Sequence, residues 1–71
     1  MKVNRIDIII KRADNIHKPY LSNDCLELMR RYRFGGEYRN EEIKFSSMPE
    51  SVLKVLDELK VVYQRITKGG S

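Results

Sequence analysis

The sequence predicts an α+β fold in the order β-α-(β)-β-α, a small two- or three-stranded sheet with two helices packed on one face. Three observations carry that expectation. The opening segment alternates isoleucines with polar residues. Two later segments repeat apolar residues at helical spacing, and a Gly-Gly pair divides the first of them from a second alternating stretch. With 71 residues there is room for one domain, placed at 1–67, followed by Lys68-Gly69-Gly70-Ser71 as a flexible tail.

Val3 to Arg12 reads as a strand, because Ile6, Ile8 and Ile10 alternate with Arg5, Asp7 and Lys11 and so line one face of a pleated sheet. Ile9 breaks the pattern and calls for cover from a helix end or a second subunit. A loop through Asp14, Asn15 and His17 leads to a helix expected to start at Ser22, whose hydroxyl suits a cap, with Asp24 in the positive first turn. Leu21 and Leu26 have the spacing of a hydrophobic staple, and Cys25, Leu28, Met29 and Tyr32 form the core stripe. Gly35 is the natural stop. Ile43 and Phe45 then mark a strand at 42–46, with a short strand around Tyr38 before it and Arg39-Asn40-Glu41 as the tight turn. Ser47 and Glu50 are spaced as a capping box, with Pro49 in the first turn of a last helix. That helix runs to Ile66, since Val52, Val55, Leu56, Leu59, Val62, Tyr63 and Ile66 share about 120° of arc; Val61 falls opposite them. Two strands alone imply a parallel crossover pair, and an added 37–46 hairpin implies a three-stranded mixed sheet. Arg5, Lys11, Lys44, Asp7 and Glu42 then share the open sheet face.

So short a chain buries only about 60% of its unfolded surface, and stability needs help. One cysteine excludes an internal disulfide, and one cysteine with one histidine makes a poor zinc site, so no metal or cofactor is expected. Self-association is the remaining route, and a homodimer is expected. An apolar run such as Ile8-Ile9-Ile10 is far short of the roughly 20 residues that span a membrane, which points to a cytoplasmic protein with a reduced Cys25.

The net charge of +4 is unevenly placed: residues 1–36 hold eight Lys/Arg against four acids, whereas residues 37–71 hold six of each. Within the basic half, Arg30-Arg31-Tyr32-Arg33-Phe34-Gly35-Gly36-Glu37-Tyr38-Arg39 concentrates guanidinium groups and aromatic rings around two glycines. Guanidinium forks grip phosphates or carboxylates, and exposed rings stack on bases or fill partner pockets. Arg30, Arg31, Arg33 and Arg39, with Lys11 and Arg12 nearby and Phe34 or Tyr38 stacking, are therefore the candidate nucleic-acid-binding residues. The ordinary account is that Arg30 and Arg31 offset the helix dipole and pair with Glu27, while the rings close the core.

Ile43-Lys44-Phe45-Ser46-Ser47-Met48-Pro49-Glu50-Ser51-Val52-Leu53 resembles the strand and first helix of ribbon-helix-helix repressors. The resemblance implies a strand paired across a dimer and read into DNA. It covers about a third of the chain and is not adopted, because the chain ends about where the second helix would begin.

His17 is the sole histidine and has no evident acid–base partner, and no nucleophilic constellation or phosphate loop is present, so no enzyme is expected. The leading expectation is a small basic module that binds nucleic acid as a dimer, in transcription or replication control, of viral or plasmid type. The alternative is a protein-binding regulator or inhibitor that docks an acidic partner through its open sheet face or the Phe34–Tyr38 loop. A ribonuclease using His17 ranks third.

Overall fold

The computed structural model describes residues 4–66. The chain forms β1 (Arg5–Lys11), a 3-10 turn (Arg12–Asn15), α1 (Leu21–Tyr32), β2 (Gly35–Arg39), β3 (Glu42–Pro49), α2 (Val52–Glu58) and β4 (Gln64–Ile66). Val3 and the expected tail at 68–71 lie outside the described residues.

This is an α+β fold built on a four-stranded sheet in the order β2-β3-β1-β4, antiparallel throughout. The parallel pair and the three-stranded mixed sheet are both replaced. β1 and β2 do run in the same direction, as a crossover through α1 requires, but β3 folds back into the gap between them. One face of the sheet carries Ile8 and Ile10 from β1 and Ile43, Phe45 and Met48 from β3. Leu21, Cys25 and Leu28 of α1 and Val52 and Leu56 of α2 pack onto it.

The expected hairpin forms, tightly. Asn40 and Glu41 both take positive φ, 49° and 60°, as a two-residue turn with primed geometry requires, and Arg39 pairs with Glu42 across it. β3 then runs past the expected end at Ser46 to Pro49. Ser46 and Ser47 together oppose Asp7, forming a bulge that brings Met48 back onto the face already occupied by Phe45. Ser47 sits at φ 56°; its N–H donates to Asp7 Oδ1 at 2.9 Å, and its carbonyl accepts from Arg5 at 3.0 Å. The capping box is therefore corrected: Ser47 belongs to a strand, Pro49 ends it, and Ser51 is the N-cap of α2 without a side-chain capping bond.

The last helix is shorter than expected. α2 stops at Glu58 because Lys60 enters the left-handed region at φ 60°, the Lys60 N–H donates to Asp57 O at 3.1 Å, and the Val61 N–H donates to Leu56 O at 2.9 Å. This is the Schellman arrangement, with lysine where glycine is usual. Val61, opposite the stripe on a helical reading, is 5% exposed and joins the core, whereas Val62 turns outward at 46%. The chain then returns as β4 along β1.

Asn15 holds this return in place. Its side chain is fully buried; Nδ2 donates to Lys11 O at 2.8 Å and Val62 O at 2.9 Å, and Oδ1 accepts from the Val62 N–H at 2.7 Å. One amide thus serves both backbone groups of Val62, as a neighbouring strand would. Next to it, His17 Nε2 donates to Lys60 O at 2.7 Å.

α1 begins one residue before the expected cap, with Tyr20 at the N-cap and Ser22 already inside. Leu21 is buried while Leu26 is 42% exposed, so Leu26 is on the outside and does not staple the start. The stop is also earlier than Gly35: Arg33 takes φ 55°, and the N–H groups of Arg33 and Phe34 both donate to Met29 O.

Candidate functional site

The segment from Arg33 to Arg39 leaves α1 and becomes an edge strand, not a loop. Phe34 is half-buried, its ring edge-on to Phe45 with centroids 5.0 Å apart at 80°. Gly36 is required by the same ring: a Cβ there would lie 2.7 Å from the Phe45 edge and 2.8 Å from Met29 Sδ. Phe34 is thus partly buried and packed against the core. Tyr38 lies on the helix side of the sheet, across from Ile43, and its hydroxyl donates to Ser22 O at 3.2 Å. Burial of its base, with a smaller contribution from Cys25, raises the phenol pKa above its ordinary value. Much of the ring remains outside, at 48% exposure.

The candidate cations fall into two groups at opposite ends of the domain. Arg30, Arg31 and Arg33 project from the last turn and cap of α1, beside the start of β2. Lys11, Arg12 and Arg39 lie where β1 and β2 finish, beside the start of α1. The 12 residues of α1 separate the groups by about 18 Å. Several cations are already engaged. Arg12 donates to Lys18 O at 2.9 Å, Lys18 pairs with Asp24 at 2.9 Å, and Arg31 reaches Glu27 at 3.7 Å in the open. Arg30, Arg33 and Arg39 make no ion pair among the described residues.

The open sheet face is a lattice of alternating charge. One row across the strands reads Lys11, Glu42, Arg39, and the next reads Gln64, Ile9, Lys44, Glu37. Cross-strand neighbours of opposite sign stabilise each other and leave a solvated surface. Ile9 is half-buried there, paired across the strands with Lys44. β3, the strand that resembles the repressor ribbon, is paired on both sides within this sheet and has no edge to offer.

A cleft of about 360 Å³ opens between the start of α1 and the β2–β3 turn, with Arg12, Leu21, Tyr38, Arg39 and Ile43 in its walls. Ser22, Asn40, Glu41 and Glu42 add to its polar lining. His17 is held on Lys60 O, and Cys25 is fully buried, its thiol pushed up to about 12 by burial and then by Asp24. No helix among the described residues is long and apolar enough to cross a membrane.

What the fold leaves unfinished is β2. It borders only β3, so its outer backbone N–H and C=O groups have no strand partner among the described residues. Leu26 lies one turn past Ser22 and one turn before Met29, and both of those touch β2 through Tyr38 and Gly36, so Leu26 flanks this edge. Sequence reasoning missed Leu26 and Glu37. The signal available was the alternation of Glu37 and Arg39 against Lys44 and Glu42, legible only with the hairpin register in hand. Compared with family models, curated proteins and solved structures, the chain matches none.

Proposed function

We propose that the chain is a small, non-enzymatic protein-binding regulator or adaptor that takes up a partner strand along the β2 edge. The observation that carries this reading is the five-residue β2 edge bordered by Tyr38 and Leu26, 48% and 42% exposed. Strand addition draws affinity from the free backbone groups and selectivity from alternate side chains, here Glu37 and Arg39 on one face and Tyr38 on the other. A cytoplasmic setting belongs to the same proposal, supported by the free thiol of Cys25. The test is capture from nuclease-treated extract. One stoichiometric protein retained by wild type and lost from the Leu26→Lys, Tyr38→Lys variant is expected; equal recovery by both would exclude the edge.

The nucleic-acid reading is the second one. The observation favouring it is that Arg30, Arg31 and Arg33 all project, exposed, from one end of α1. Against it, the helix C-terminus carries negative partial charge that opposes phosphate, and the other candidate cations are a helix length away. Oligonucleotide binding that weakens steeply with salt, with a slope reduced by Arg30→Ala and Arg31→Ala, would establish this reading in place of the first.

A further inference from the structure

We propose that the occupant of the β2 edge is the β2 edge of a second copy of this chain, in antiparallel register about Tyr38. This rests on the docking-edge reading above and specifies its partner.

The sheet has two edges. At one edge β4 is described over Gln64–Ile66. β2 has five residues, no proline and no bulge. Its one protective device is charge, and that charge is self-complementary. A two-fold axis relating antiparallel edge strands must pass through a residue pair. An axis at Gly36 sets Glu37 against the partner's Gly35 and leaves Arg39 beyond the end of the partner strand, so neither charge finds a counterion. An axis at Glu37 sets two carboxylates face to face. An axis at Tyr38 sets Glu37 against the partner's Arg39, and Arg39 against the partner's Glu37.

Only that third register continues the alternation already present in the sheet. The row Lys11, Glu42, Arg39 runs on into the partner's Glu37 and Lys44 with no break in sign. On the opposite face the two half-exposed Tyr38 rings meet, and the two α1 flanks that carry Leu26 approach the same seam. The axis stands perpendicular to the sheet, so both copies keep their helices on one side. The result is a continuous eight-stranded sheet with β4 at each end. Burying Tyr38 and Leu26 this way supplies part of the apolar cover that so small a domain lacks.

The experiment is charge complementation followed by sedimentation velocity, with each variant's fold checked by its circular dichroism melt. Wild type is expected to dimerise at micromolar concentration. Glu37→Arg alone sets arginine against the partner's Arg39, and Arg39→Glu alone sets two glutamates together, so each dimer weakens about tenfold or more. An equimolar mixture of the two variants restores both ion pairs and recovers wild-type affinity. Glu37→Arg also faces Lys44, and Arg39→Glu faces Glu42, within the same sheet. Hydrogen exchange of wild type therefore supplies a measurement without substitution: protection of β2 amides must rise with protein concentration. A wild type that stays monomeric up to its solubility limit overturns self-pairing but leaves strand addition by another protein standing. A dimer indifferent to both charge reversals, or a mixture no tighter than its parts, with unchanged β2 exchange, likewise overturns self-pairing through β2, whereas the edge itself falls only if wild type and the Leu26→Lys, Tyr38→Lys variant capture the same protein equally.

Discussion

Replacing Asn15 by alanine removes three hydrogen bonds from a fully buried side chain: two to the carbonyls of Lys11 and Val62 and one from the Val62 N–H. At about 1 kcal/mol net for each bond, the loss is about 3 kcal/mol, more if the backbone groups stay dry. A domain of this size has about 4–10 kcal/mol in all. Urea unfolding followed by circular dichroism should therefore show a much lower midpoint, and a thermal melt should fall by about 15 °C. The Val62 amide should lose its protection from hydrogen exchange more than those in the centre of β1. Asn15→Asp should be worse at neutral pH, because it keeps the acceptor for Val62 N–H while turning a carboxylate oxygen toward two carbonyls. Its folded-state carboxyl pKa is then raised, so its deficit should shrink as pH falls and the group protonates. An alanine variant within about 0.5 kcal/mol of wild type would refute the reasoning and show that the β1–β4 ladder holds the return without the clamp.

Three further outcomes test the local physics. Gly36→Ala should destabilise by about 1–3 kcal/mol, since the rigid Phe45 ring must give way, whereas Gly35→Ala, with nothing within 4 Å of the added carbon, should be nearly neutral in urea unfolding. Glu41→Gly and Lys60→Gly, both at φ 60°, should each stabilise by about 0.5–1 kcal/mol in the same assay; a loss at either position would mean that its side chain contributes more than its backbone costs. Cys25 should resist alkylation at pH 8 in the folded protein and react at once in urea. The unfolded thiol ionises near 9.0 and the folded one at about 12, so the native state keeps a proton that the unfolded chain has lost. Stability from this group is intact below 9.0 and falls between the two values by roughly 1.4 kcal/mol per pH unit. A Cys25→Ala variant should lack that component of the alkaline decline.

The reach of the sequence follows from the range of the forces involved. Alternating isoleucines marked β1 because a sheet with one buried face needs period two, and the stripe Cys25, Leu28, Met29, Tyr32 marked α1 because burial selects one side of a helix. The turn at Asn40 was legible from turn chemistry. The stops were not, because Arg33, Ser47 and Lys60 adopt left-handed backbone without glycine to announce it. Residues 59–66 fit a helical stripe as well as an extended return over so short a span, and only the core's demand for Val61 and the Asn15 clamp on Val62 chose the return. The bulge at Ser47 hid the end of β3 in the same way, by shifting its phase.

The candidate site divides along that line. Local pattern was enough to single out residues 30–39 and to place an arginine-rich helix end next to glycines and rings. Where those groups point was decided by non-local packing. Phe34 went inward to Phe45, the cations parted along the length of α1, and β3 entered between β1 and β2. Strand order fixes which backbone edge is left without a neighbour. That order emerges from contacts between residues far apart in the chain, so no local run of side chains encodes it.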